Sequence, residues 1–271
     1  MYTVADALAA LETLAPTRWI AQVYPGDNVG LLVGRRNAPL TAALAALDVT
    51  LPVVEEALRV GAQLIVAHHP VTFGLKSVTD GDGTGRLFLA LLENRLAAIC
   101  MHTNYDAAPG GVNDHLAQAV GLTDAGEILG AAFRDPDGRA YGLGRVGQLA
   151  APLSAAELAQ TVKTALNAPG VRWVDGGRPC RTVAVGSGNS TSQWSDVLRR
   201  GCDAFITGDV KYHLFLEAAQ QGVTLIDAGH FPTEQLAVPP LAAHLRQSLP
   251  GLTVRLSEAG ATPENWLSAD R

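Results

Sequence analysis

Cysteine is scarce in this chain of 271 residues: Cys100, Cys180 and Cys202 only. An odd number at wide spacing argues against a disulfide framework and offers no Cys-based zinc spacing. The three read as reduced, buried thiols of a cytosolic protein. Charge is also sparse, with 17% charged against 48% hydrophobic residues, which excludes a disordered chain and indicates a compact globular one. There is no basic excess: the net charge of −6 argues against a dedicated nucleic-acid partner, whose binding face is normally basic. The first residues lack a basic lead. Met1 to Trp19 carries Asp6 and Glu12 and reads as an amphipathic helix, not a signal peptide. The most apolar stretch, Asn37 to Val54, is broken by Pro39, Asp48 and Pro52, so no membrane span is expected. No period of 20–50 residues repeats, which excludes a solenoid, and Trp19, Trp173, Trp194 and Trp266 show no stacking pattern. The expected compartment is the cytoplasm.

What is present is an alternation of short β-like runs with helical patterns. Ala42–Val49 reads as a strand; Thr50 caps the following helix, with Pro52 in its first turn and Glu55 and Glu56 near its positive end. Gln63–Ala67 is a strand, Leu87–Leu96 a helix, Ala97–His102 a strand and Val112–Val120 a helix. This order predicts an α/β fold with a largely parallel sheet covered by helices. After a less regular middle, Gly126 to Val174, with a strand at Tyr141–Leu149 and a Ser154-capped helix at Ala155–Leu166, the rhythm returns. Strands at Thr182–Gly186, Ala204–Thr207 and Val223–Ala228 alternate with helices at Ser192–Arg200, Val210–Gln220 and Thr233–Gln247. The Gly-, Asp- and Pro-rich stretch Asp124–Asp137 is the expected boundary, dividing the chain into 1–125 and 126–271.

Three polar clusters follow strands, at the sheet edge where open α/β folds bind ligands. They are His68-His69-Pro70, His102-Thr103-Asn104-Tyr105-Asp106, and Asp227 to Glu234 with His230. With His213, five of the seven histidines lie in or beside strand ends. Neutral imidazole with carboxylate suits Zn, Mn, Fe, Ni or Co better than Ca or Mg. Adjacent His68 and His69 either point to opposite sides of an extended backbone and serve two ions, or are both brought inward by a turn at Pro70. His102 with Asp106, and His230 with Glu234, have the i, i+4 spacing that shares a helix face. A carboxylate between two ions bridges them at roughly 3.5–4 Å. The Gly-rich turn Gly186-Ser187-Gly188, leading through Asn189 to Ser192, lies between a strand and a helix. It offers backbone N–H groups to an anion, although it lacks the Gly-Lys-Ser/Thr ending of a P-loop; a plain tight turn fits equally well. Lys211, Tyr212 and His213 open another helix and suit a phosphate or ring; a solvated first turn capped by Asp209 fits them as well.

At these residues the sequence resembles the Nif-three-like family, whose members are often labelled GTP cyclohydrolase 1 type 2 homologues. The resemblance runs through Leu47-Asp48-Val49-Thr50, Ala67-His68-His69-Pro70 with Gly74-Leu75-Lys76-Ser77, His102 to Asp106, Gly111 to Asp114, Thr207 to His213 and Gly229 to Glu234. It implies a dinuclear metal centre with His68, His69, Asp106, His230 and Glu234 as ligands and Glu234 bridging, His102 matching a ligand or a close neighbour. It also implies two similar α/β halves and a ring-shaped homohexamer.

The expected function is therefore metal-dependent hydrolysis: two divalent ions per chain activating water to open the guanine imidazole ring of GTP or a related nucleotide. His102 or His213 is the expected proton carrier, with the phosphates on the Gly186–Ser192 turn or near Lys211. The alternatives are a two-metal phosphoesterase or nuclease, and a hexameric metal-binding scaffold without turnover.

Overall fold

Short apolar runs set the sheets. In the computed structural model, which describes residues 1–130 and 133–267, the strands of the two main sheets are, in chain order, β1 (Gly30–Val33), β2 (Ala42–Ala46), β3 (Leu64–Ala67), β4 (Ala97–Cys100), β5 (Leu122–Ile128), β6 (Arg145–Leu153), β7 (Arg172–Val174), β8 (Cys180–Val185), β9 (Ala204–Thr207), β10 (Thr224–Asp227) and β11 (Thr253–Leu256). Every residue of β3, β4, β9 and β10 is buried, as expected of parallel strands covered on both faces.

The chain forms two compact units. The first comprises Met1–Ala108 and Ala237–Ala261. Its sheet has the order β11-β2-β3-β4-β1, parallel except for β1, which runs antiparallel to β4. Two helices, Leu51–Arg59 and Gly83–Glu93, contribute Val53, Val54, Leu87 and Leu91 to its core, each such buried side chain contributing roughly 1.5–3 kcal/mol. Thr50 caps the first of them as expected, its hydroxyl accepting from the Val53 N–H. The final strand β11 is held by more than its ladder. Buried Glu56 accepts from Ser257 Oγ at 2.5 Å and from the Glu258 and Ala259 N–H groups at 3.0 Å.

The second unit comprises Pro109–Leu236 and, of the described residues, 262–267. Its sheet has the order β7-β10-β9-β8-β6-β5. The central β8, β9 and β10 are parallel; β6 and β7 flank them antiparallel, and β5 pairs antiparallel with β6. Ser154 and Glu157 form a reciprocal capping box at the start of Ala155–Ala165, the helix expected there.

Two features differ from the sequence expectation. The stretch Asp124–Asp137 contributes to edge strand β5, and the chain passes between units at 108/109, at 236/237 and at 261/262. The second passage exists because β11 pairs with β2, some two hundred residues earlier, a pairing no local pattern encodes. The helix expected at Thr233–Gln247 is two helices, His230–Gln235 and Val238–Ser248. Pro239 and Pro240 have no N–H and so belong in the first turn of a new helix. No described helix is long and apolar enough to cross a membrane.

Candidate metal centre

In the first unit, β3 and β4 are parallel neighbours with Ala67 opposite Cys100, so His68 and His102 leave the sheet side by side. The backbone bends beyond Ala67, and the His68 and His69 rings lie in one cluster. The His68 and His69 ring centroids are 5.0 Å apart, and those of His102 lie 5.3 and 5.7 Å from them. One ligand atom from each of the three lies within 4.8 Å of the others.

Each ring is held by an oxygen on its Nδ1. His68 Nδ1 lies 2.8 Å from the Met101 carbonyl, His69 Nδ1 2.7 Å from Asp48, and His102 Nδ1 2.9 and 3.0 Å from the two oxygens of Asp27. A carbonyl or carboxylate can only accept, so each imidazole donates from Nδ1 and its neutral form keeps the lone pair on Nε2. Histidines bound to metals are held this way. Asp27 also accepts from the Thr103 N–H at 3.1 Å. Burial pushes its carboxyl up, but the bonds from His102 and Thr103 outweigh that and hold it below the usual range. Asp106 follows on the short helix Thr103–Ala107, its N–H bonded to the His102 carbonyl at 3.0 Å. Its Oδ1 lies 3.7 Å from His68 Nε2, and both side chains are mostly buried. Beneath them the Cys100 thiol donates to the His68 carbonyl at 3.0 Å. Burial, then the nearby Asp27 and Asp106, push that thiol well above its ordinary range, so it is a packing group and not a nucleophile.

In the second unit, β10 ends at Asp227, and a left-handed Gly229 (φ +87°) turns the chain into His230–Gln235. The expected one-face spacing holds: His230 Nε2 lies 3.0 Å from Glu234 Oε2. His230 Nδ1 lies 2.8 Å from Asp209, a non-glycine residue in the left-handed region at φ +53°. Asp209 therefore orients His230 and does not cap the next helix, where Lys211 takes the cap position. The bond to Glu234, partly opposed by burial and reinforced by Asp209, lifts the His230 pKa to about 9. Buried Glu234 packs on Gly188: a Cβ there would stand 2.1 Å from Glu234 Oε1 and 3.1 Å from His230 Cε1, and Gly188 has φ +52°.

The Gly186–Ser192 turn is thus a seat for Glu234. Four of its N–H groups already have acceptors: Gly186 bonds the Ile206 carbonyl at 3.0 Å, Ser187 bonds Asn113 at 2.9 Å, Gly188 bonds Thr233 at 3.0 Å and Ser190 bonds Thr207 at 3.1 Å. An anion there would compete with all four. Lys211 and His213 are exposed at the start of Tyr212–Gln221, with the His213 ring 6.0 Å from that of Tyr212.

The donor chemistry fits divalent transition ions: neutral Nε2 groups oriented from behind, with carboxylate oxygens beside them. The first unit gathers His68, His69, His102 and Asp106; the second gathers His230 and Glu234. The orienting residues Asp27, Asp48 and Asp209 lie outside the set of ligands expected from the sequence. The available signal was a lone Asp after a strand for Asp48 and Asp209; Asp27 had none.

A family description, Duf34/NIF3 (NGG1p interacting factor 3), matches residues 2–263. A Clostridium perfringens protein named GTP cyclohydrolase 1 type 2 homolog is 32% identical over 231 residues, covering 84% of this chain and 86% of its own length. A Streptomyces coelicolor protein of the same name is 36% identical over 239 residues, covering 86% and 82%. The crystal structure of a Staphylococcus aureus hypothetical protein superposes with a TM-score of 0.88 at 27% identity, covering 98% of this chain and 99% of that one.

Proposed function

The chain belongs to the Duf34/NIF3 family, and from that premise we propose that it is a dinuclear metal-dependent hydrolase that opens the guanine imidazole ring of GTP or a related nucleotide. The observation that carries the metal reading is the set of three imidazoles, each tied through Nδ1 to an oxygen, with Asp106 in reach of His68 Nε2. We assign His68, His69, Asp106, His230 and Glu234 as the ligands of two divalent ions (Zn, Mn, Fe, Ni or Co), with Glu234 as the bridge. His102 is read as a further ligand and not as the proton carrier, because its ring is oriented just as those of His68 and His69 are. The names of the relatives support the nucleotide.

When bound, two such ions lower the pKa of water toward ~7 and polarise an electrophilic carbon. The chain's own groups supply the rest. Asp27, Asp48 and Asp209 keep imidazole rings from rotating and raise their basicity. His213 is the proposed proton carrier for the ring nitrogen, and Lys211 the proposed phosphate contact. One water adds at C8 and the C8–N9 bond breaks to leave a formamide; a second water then cleaves the remaining C8–N7 bond and releases formate, while the triphosphate stays intact.

The test is product analysis with metal-defined protein. GTP should yield formate with no early phosphate, and Asp106→Ala and His69→Ala should each lower the rate by roughly 10–100-fold or more. Phosphate release without formate, lost in Asp106→Ala, would establish the phosphoesterase reading instead. Bound metal with no product from either assay would leave a scaffold.

A further inference from the structure

Phe73 is 74% exposed. A single exposed apolar side chain needs no explanation by itself; what sets Phe73 apart is its place beside the histidine cluster. Its ring lies 5.5 Å from that of His102, edge to face at 65°. The segment bearing it is tied down. Thr72 Oγ1 donates to the Gly74 carbonyl at 2.7 Å and accepts from the Gly74 N–H at 3.1 Å, while Asn28 Nδ2 donates to the Thr72 carbonyl at 2.7 Å. Asn28 follows Asp27, the residue that holds His102 Nδ1. One dipeptide, Asp27-Asn28, thus ties both the His102 ring and the backbone just before Phe73. The next residues, Gly74 to Ser77 with Lys76 among them, line an open groove of about 580 Å³ together with Asp82, Gly83 and Thr84.

We propose that Phe73 is a substrate-binding residue: a planar heteroaromatic ring stacks on its open face, and the anionic tail of the same molecule follows the Gly74–Ser77 groove past Lys76. The ligand class is a nucleotide or a similar ring with an acidic tail, and the choice of nucleotide rests on the hydrolase reading. A phenyl ring gives stacking energy without reading base edges, so the site selects for a ring more than for a particular base.

The experiment is calorimetric binding of guanosine, GTP and inorganic triphosphate to metal-loaded wild type, Phe73→Ala and Phe73→Trp, with metal content measured for each. Phe73→Ala should bind guanosine and GTP roughly 5- to 100-fold more weakly, as loss of one stacking partner implies. Inorganic triphosphate and metal content should be unchanged, and Phe73→Trp should bind guanosine at least as well as wild type. Equal guanosine binding by wild type and Phe73→Ala overturns the proposal. So does a parallel loss of triphosphate, or a wild type that binds no guanosine. Because binding is read and not turnover, absence of formate would sink the hydrolase reading while leaving this result interpretable.

Discussion

His230 shows how much a single neighbour decides. On Nδ1 it meets Asp209 and on Nε2 it meets Glu234, so without an ion the ring holds a proton up to about pH 9. An ion at Nε2 must displace that proton. The sign follows: the folded pKa lies above the ordinary 6.5, the protonated form dominates below about 9, and protons compete with metal throughout that range. Apparent metal affinity should rise with pH up to about 9 and then level off. Near pH 8, uptake should release a proton, measurable by calorimetry in buffers of different ionisation enthalpy. Asp209→Asn keeps a residue that tolerates a positive φ but removes the charge behind the ring. We expect it to weaken metal binding by about tenfold or more in a chelator competition, with little change in melting temperature. Unchanged affinity would show that Asp209 does not act through His230.

At the scale of elements, the strand ends do the positioning. Parallel register puts Ala67 level with Cys100 and Thr207 level with Asp227, so the loops that follow carry chemistry at matched heights. Beyond its ladder to β2, the chain just after β11 is held by one buried carboxylate. Glu56 is raised by burial, but its bonds from Ser257, Glu258 and Ala259, with Arg59 nearby, bring it below 4.5. A folded pKa below the unfolded one stabilises the fold above about pH 4.5, and that contribution is lost as pH falls through the folded value. Glu56→Gln should therefore be less stable than wild type at pH 7, and the gap between their melting curves should narrow as pH falls below 4.5. A gap that persists at low pH would mean that shape, and not charge, matters there.

For the whole molecule the expectations concern stoichiometry. Plasma mass spectrometry should find about two divalent ions per chain, and Glu234→Ala should retain fewer. A variant that keeps both ions with unchanged affinity would remove Glu234 as the bridge. Light scattering on a sizing column should give about six times the 28.3 kDa chain mass, an assembly proposed from the family resemblance. Tyr212 and Leu216, four apart on Tyr212–Gln221 and 68% and 47% exposed, are surface that such an assembly would be expected to cover. A monomer at micromolar concentration would end that proposal.

By itself the sequence determined the α/β class, most elements and the three polar clusters that follow strand ends. These are local signals: apolar runs of strand length, caps at Thr50 and Ser154, and i, i+4 pairs at His102/Asp106 and His230/Glu234. Only the tertiary structure decided what depends on distance along the chain. It turned His68 and His69 to the same cluster, made Asp27 the support of a ring 75 residues away, and seated Glu234 on Gly188. It also returned β11 to β2 across the second unit. The physical reason is that periodicity and capping are written within a few residues. A carboxylate behind a ring, or a glycine beneath a carboxylate, is chosen by packing between segments, and a single Asp or Gly at such a position reads the same as any turn.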